Sequence, residues 1–408
     1  MDSEKDKKKY WEYMLVVLLT ILGAFYLLSL LMGFQLTDSN TYNTYALQAD
    51  SWRQGRLDLG QDYPWLELAI FEGKYFCSFP PFPSYLLFPL TFLFGSQTPD
   101  YVLVLVLDLL AAFYLYRLAL KLGVKEEAAT LLTVFVTLGA NTLFVMVSPS
   151  VWFFAQLLCF VTAVMAIYYA QAGRGALSLF CWAASVGCRP MQVLFLPVLL
   201  VLLYQQERAR DAETEGVKLV LRRWYWAIPM GILAVSYMLL NYLRFGSIVE
   251  FGHNYLPEFV RAEKGQFHLD YMKTNLPSLV HLPEYNEDGT MLINHFGNLS
   301  FFIACPIVVI ALVGLVYVIY KRNVQLASMG ILIVVLSAIY LLIITMHKTL
   351  GGWQFGNRYA IDILPYVYLL VGLITEKHPG LAKYCVPLCV FGMCLNIVGT
   401  VIVYNGLT

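Results

Sequence analysis

Long apolar runs recur from one end of the chain to the other, separated by short polar or basic segments. A run of about 20 apolar residues suffices to cross a bilayer as a helix. The runs predict helices near 14–34, 101–122, 127–147, 152–172, 176–188, 191–205, 224–243, 301–320, 326–346, 359–375 and 383–404. The pair 176–188 and 191–205 is short and turns at Cys188-Arg189-Pro190. Such short helices are tolerated when protein rather than lipid surrounds the break. The fold class that follows is an all-α polytopic membrane protein of about eleven transmembrane helices, one integral membrane domain over 1–408. The alternation over segments of about ten residues that marks a membrane β-barrel is absent.

One apolar stretch, 79–95, is broken by Pro80, Pro81, Pro83 and Pro89. Phe82 to Gly95 has the length of an interfacial or re-entrant segment, and Pro89 removes a helical hydrogen bond in its middle. If 79–95 stays on one side, Lys and Arg gather on the side of the N-terminus; if it crosses, the excess reverses. Basic loops favour the cytoplasm. The expectation is therefore a cytoplasmic N-terminus, a non-spanning 79–95 and an extracytoplasmic C-terminus. The first and fourth extracytoplasmic loops are then large, at 35–100 and 244–300.

Composition agrees. Of 408 residues 59% are hydrophobic and 13% charged, against roughly a quarter charged in soluble domains. Net charge is zero, and no basic patch of the kind a nucleic-acid binder needs is present. Seven of the eight cysteines lie in or beside apolar runs and read as packing residues; only Cys77 falls in a clear loop. The first apolar run is too long for a signal-peptide core and reads as a retained helix.

Candidate chemistry lies in the outer loops. Asp38 follows the first helix, where a carboxylate can accept a proton from an acceptor hydroxyl; it is equally a helix cap beside Thr37 and Ser39. Arg358, after the glycine-rich Gly351-Gly352, can clamp a lipid phosphate, or simply reach to the interface. Arg189 lies near membrane depth, where an arginine is costly and marks a functional site, unless an internal carboxylate such as Asp108 pairs with it. Five of the six histidines, His253, His268, His281, His295 and His347, fall in outer loops and match no metal motif. Aromatic residues of the first loop fit a membrane interface and also stack on sugars.

The order of these features resembles the GT-C class of polyprenyl-phosphate-sugar-dependent glycosyltransferases. It is most similar to the clan of protein O-mannosyltransferases and aminoarabinose transferases. The resemblance is carried by the acid after the first helix, by Gly73 to Pro81, by Pro89 to Gly95 and by Arg189-Pro190. Asn241 to Gly252 and the late Gly352 to Tyr359 complete it. It implies transfer of a sugar from a polyprenyl-phosphate donor, undecaprenyl phosphate in a bacterial plasma membrane, to an extracytoplasmic acceptor hydroxyl, with inversion. By position Asp38 matches the catalytic base, and Arg358 and Arg189 match donor-phosphate ligands. Tyr42, Asp50, Trp353, His253 and His295 would line the substrate pocket. Many members carry Asp-Glu where this chain has Asp38-Ser39, which leaves open whether Asp50 takes the second acid's role. No cofactor is certain, and a divalent metal stays open. A transporter or flippase of lipid-linked glycans and a non-catalytic scaffold are the other readings.

Overall fold

The computed structural model describes residues 4–211, 218, 221–287, 289, 291–292 and 299–406. The hydrocarbon core holds no water, so a crossing chain must satisfy its backbone internally, and helices result. Among the described residues, eight helices are long and apolar enough to cross a membrane. They are Lys7–Met32, Asp100–Lys121, Val151–Gln171, Pro190–Arg210, Trp224–Phe245, Val324–Thr345, Arg358–Lys377 and Pro379–Tyr404. Three apolar helices are shorter: Phe82–Phe94, Gly175–Val186 and Pro306–Tyr320. Val151–Gln171 and Arg358–Lys377 form the buried centre, while Trp224–Phe245 lies at the edge with Ile232, Val235, Leu239 and Leu243 exposed.

The expected eleven spans are thus eight long helices and three that are short or broken. The segment expected at 127–147 is Glu126–Thr137 followed, after a break, by Thr142–Val145. The segment expected at 301–320 divides into Phe301–Ala304 and Pro306–Tyr320. Proline lacks the N–H that would continue the helix. The breaks are satisfied by neighbours. Asn396 Nδ2 donates to Ala304 O at 2.9 Å, and Asn141 N–H donates to Cys305 Sγ at 3.4 Å. The two breaks therefore meet beneath the 351–358 turn, where a Cβ on Gly356 would lie 2.9 Å from Ala304 Cβ and from Asn141 Nδ2.

The Phe82–Phe94 helix is flanked on both sides by contacts to loop residues. Before it, Ser78 O contacts His253 Nδ1; after it, Gln97 Oε1 accepts from Ser39 Oγ at 2.7 Å. The helix rests on Thr44–Arg53, with Ser84 Oγ donating to Tyr45 O at 3.0 Å and Gln48 Nε2 donating to Ser84 Oγ at 2.8 Å. Preceding it is an antiparallel hairpin, Leu68–Phe71 with Lys74–Cys77. Its two-residue turn, Glu72-Gly73, has positive φ at both positions (48° and 73°), the I′ geometry that matches strand twist. Cross-strand backbone hydrogen bonds order this part of the first loop.

Asp100 fixes the start of the first loop. It is buried and accepts the Asn40 backbone N–H at 2.9 Å and the Thr98 hydroxyl. The second loop is tied to the end of Val324–Thr345. There His268 N–H donates to Met346 O at 2.8 Å and Lys348 N–H to Gln266 O at 2.9 Å.

Helix Ala382–Tyr404 approaches the break at Gly139 so closely that a Cβ on Gly392 would lie 2.0 Å from Gly139 O. Alanine gains about 1 kcal/mol over glycine in a helix interior, but overpacking costs about 1–3 kcal/mol. A backbone oxygen cannot swing aside, so the clash wins. Gly392→Ala is expected to lower the thermal unfolding midpoint of detergent-solubilised protein; a rise would refute the close approach.

Candidate active site at the loop end of the bundle

Two adjoining cavities open where the loops converge, one of about 360 Å³ and one of about 530 Å³. Phe79, Trp152, His253, His347 and Tyr359 border both. Arg189 and Asp362 line the smaller; Glu67, Glu258, Trp353 and Arg358 line the larger.

Arg358 begins a 3-10 turn, Arg358–Ile363, that leads into the central helix. Its backbone N–H donates to Gln354 Oε1 at 2.7 Å. Gly351, at φ +95°, lets the guanidinium lie close: a Cβ there would stand 2.9 Å from Arg358 Nη2. The guanidinium carbon is 5.1 Å from the centroid of the Phe153 ring and 4.8 Å from that of Tyr359. Arg358 is 2% exposed, yet its Nε and Nη1 have no hydrogen-bond partner in the protein. A buried charge without partners is strongly unfavourable, so this arrangement calls for an anion.

Arg189 is arranged differently. Its Nε donates to Asp362 Oδ2 at 2.9 Å, and its guanidinium carbon lies 4.7 Å from the Tyr359 ring centroid. Its carboxylate partner is thus Asp362 and not Asp108. Asp108 sits within Asp100–Lys121, with one oxygen unpartnered. Asp362 also accepts from Gln156 Nε2 at 2.7 Å and from the Tyr340 hydroxyl at 2.8 Å. One arginine is neutralised by the protein and the other is not.

Glu67 stands just before the hairpin, and its Oε2 accepts from Trp152 Nε1 at 2.8 Å. The residue is exposed and lines the larger cavity. Burial pushes its carboxyl above the ordinary value; the Trp152 hydrogen bond and the Arg358 charge pull it back, and Glu258 adds to the rise. No local signal in the sequence sets Glu67 apart from the other acids of the first loop. His253 and His347, their ring centroids 6.1 Å apart, are both pushed down to about 4, chiefly by burial. Their Nδ1 atoms face carbonyls, Ser78 O at 3.2 Å and Thr349 O at 2.6 Å. A carbonyl only accepts, so at His253 Nδ1 carries the proton and Nε2 keeps its lone pair; His347 Nδ1 also lies 3.2 Å from the Thr349 backbone N–H, a donor.

The other expected site residues are dispersed. Asp38 is exposed, accepts the Gln35 backbone N–H at 2.8 Å, and lines neither cavity. The bond from Asn40 to Asp100 holds this turn on the outside. Asp50 is bound to Arg53 at 2.7 Å and Gln54 at 2.8 Å, away from both cavities. Tyr42 is exposed and reaches only the edge, its ring 6.1 Å from Trp152. Trp353 lines the larger cavity at φ +47°, a strained conformation for a bulky residue, braced against Tyr404 at 4.8 Å. His253 borders both cavities; His295 lies outside the described residues. Among the described residues no group of three or more His, Cys, Asp or Glu is placed to hold a metal ion.

No known family profile matches the chain, and no curated protein is similar in sequence. Solved structures are similar in fold. The apo oligosaccharyltransferase of Archaeoglobus fulgidus superposes with a TM-score of 0.54 at 11% identity, over 97% of this chain and 56% of that one. ArnT from Cupriavidus metallidurans bound to undecaprenyl phosphate gives 0.54 at 11% identity, over 90% of this chain and 60% of that one. The chain has the GT-C fold. It spans a little over half the length of these two proteins, and the likeness is one of architecture. In this GT-C chain, as the apolar helices require, the bundle is an integral membrane one and the cavities lie at one end of it.

Two outcomes are expected. Asp362→Ala strands Arg189 in a buried site and should cost about 3–5 kcal/mol of stability, read as a loss of folded protein or a large fall in melting temperature. The histidines add a pH dependence. Their folded values, about 4, lie below the ordinary 6.5, so the unfolded chain binds protons first. Their contribution is complete above about 6.5 and is lost as pH falls toward 4. A His253→Asn/His347→Asn variant should therefore lose less stability than the native chain between pH 7 and pH 4; parallel melting curves would contradict this.

Proposed function

We propose that the protein is a membrane glycosyltransferase that moves a sugar from a polyprenyl-phosphate donor to an acceptor hydroxyl at the extracytoplasmic surface. The observation that carries this reading is Arg358, a buried guanidinium with two unused donors on the wall of a 530 Å³ cavity. The donor phosphate supplies the missing anion. The GT-C fold, shared with an ArnT structure bound to undecaprenyl phosphate, supports the choice of donor.

The chemistry follows from the cavity. The acceptor oxygen attacks the anomeric carbon, its proton passes to a carboxylate, and the bond from that carbon to the phosphate oxygen breaks. The electron pair stays on the phosphate, where Arg358 stabilises the growing negative charge. Asp38 was the carboxylate that the resemblance favoured as base. Because Asp38 lines neither cavity, we place the base at Glu67, which shares the cavity with Arg358. Its carboxyl is shifted upward, which strengthens it as a proton acceptor. A single base and one displacement correspond to inversion. His253 offers an Nε2 acceptor to sugar hydroxyls, and Trp152 holds the Glu67 carboxylate in place.

The test is transfer of labelled sugar from a polyprenyl-phosphate donor to acceptors in a membrane extract, with purified protein in lipid. Arg358→Gln and Glu67→Gln should each lower the rate about 10²–10³-fold without loss of fold. Arg358→Lys should recover part of it, and Asp38→Asn should remain within a few-fold of the native rate. Native protein that shows no donor-dependent transfer would defeat the enzyme reading. A severe defect in Asp38→Asn with an active Glu67→Gln would return the base to Asp38.

A further inference from the structure

The edge helix Trp224–Phe245 is tied at its loop end to the helix Thr44–Arg53: Arg244 Nη1 donates to Gln48 Oε1 at 2.9 Å. Residues four apart share a helix face. One turn on from that contact, Trp52 and Leu240 therefore face the same seam, and there it opens into a cleft of about 250 Å³. Gly55, Arg56, Leu57 and Tyr85 complete the lining; none of the six is acidic, and none borders either of the two larger cavities. Leu240 stands five residues before the end of its helix, about 7 Å along the axis. Trp52 and Tyr85 thus lie at the depth where tryptophan and tyrosine gather at a membrane surface. Val235, Leu239 and Leu243 of the same helix are exposed beside the cleft.

Arg56 is held in this cleft by neutral contacts. Its Nη2 donates to Gln54 Oε1 at 2.8 Å, and Gln54 Nε2 donates to Asp50 Oδ2 at 2.8 Å. Gly60, at φ +77°, leaves the guanidinium its place, since a Cβ there would stand 1.9 Å from Nη1. Asp50 pairs with Arg53 instead, and among the described residues no acid pairs with Arg56. The Trp52 indole N–H is buried and has no hydrogen-bond partner in the protein. The Tyr85 hydroxyl already donates to Ser236 Oγ at 3.3 Å. The cleft combines a fixed, uncompensated cation, an idle N–H and an apolar floor that continues down a membrane helix.

We propose that this cleft binds an anionic phospholipid of the surrounding leaflet. The lipid phosphate takes the free guanidinium nitrogens of Arg56, and an oxygen of the headgroup region takes the Trp52 N–H. One acyl chain follows Leu240 and the exposed stripe of Val235, Leu239 and Leu243. With no acid in the lining, a headgroup of net negative charge is favoured over one whose phosphate is offset by an amine. The lipid fills the seam beside the Gln48–Arg244 contact and so fastens the edge helix, which buries little of its own surface.

Melting curves and native mass spectrometry of the detergent-solubilised full chain test this, with phosphatidylglycerol as the probe. It should raise the melting temperature of the native chain, and one equivalent should stay bound. Arg56→Gln should weaken that equivalent about tenfold and remove most of the thermal shift; Arg56→Lys should keep part of both. Trp52→Phe retains a ring and should weaken binding about threefold. Arg261→Gln, which removes an exposed charge elsewhere in the loops, should bind as the native chain does. Without lipid, Arg56→Gln should melt with the native chain, because Arg56 is exposed and its side chain holds one neutral hydrogen bond. A large fall there would mark Arg56 as merely structural and overturn the proposal. Equal shifts with phosphatidylcholine or with inorganic phosphate alone would each overturn it, as would native affinity in Arg56→Gln or in Trp52→Phe. Displacement of phosphatidylglycerol by farnesyl phosphate at equal concentration would give the cleft to a polyprenyl lipid. A dimer that Arg56→Gln dissolves would make it a contact between copies. Either result also ends the phospholipid assignment.

Discussion

Asp362 is the group on which the loop end of this bundle depends. Its side chain accepts from Gln156 on one central helix, from Arg189 at the turn before another, and from Tyr340 on a third. Its backbone carbonyl takes Gln192 Nε2 at 2.9 Å. In a medium of low dielectric such a carboxylate survives only when several donors surround it. Three segments distant in sequence are thereby fixed around the 3-10 turn that carries Arg358 and Tyr359. Removing the carboxylate would release the turn as well as the ion pair.

That node also sets the electrostatic difference between the two cavities. Arg189 spends part of its charge on Asp362, and Arg358 has no carboxylate bonded to it. A second acid beside Arg358 would be the simplest way to make the fold more stable. With no carboxylate in that contact, two donor atoms of the guanidinium stay unpartnered. The glycine at Gly351, the aromatic faces of Phe153 and Tyr359, and the strained Trp353 all serve to hold the uncompensated guanidinium still. Pre-organised charge of this kind stabilises a leaving phosphate without reorganising at the moment of reaction.

Much of this was legible in the chain, for definable reasons. Apolar run length identified the helices because the bilayer imposes a length. The late glycine-rich turn identified Arg358 because close backbone approach needs residues without a Cβ. The partner of Arg189 was not legible, since Asp108 and Asp362 are both acids within apolar runs and only packing brings one to the turn. Nor was the placement of Glu67. It depends on a hairpin whose turn is short and whose strands are four residues each, within a loop that also fits an interfacial segment by composition.

The sequence by itself determined a helical membrane protein, its principal spans and a cluster of charged residues in the loops between them, because hydropathy and length are local properties that a bilayer reads directly. Only the tertiary structure decided which of those charges are free. Whether a buried carboxylate has partners depends on side chains distant in the chain, as with Gln156 and Asp362, 206 residues apart. Helix breaks at 138–141 and at Cys305 were decided in the same way, by Asn396 and Asn141 satisfying what lipid could not.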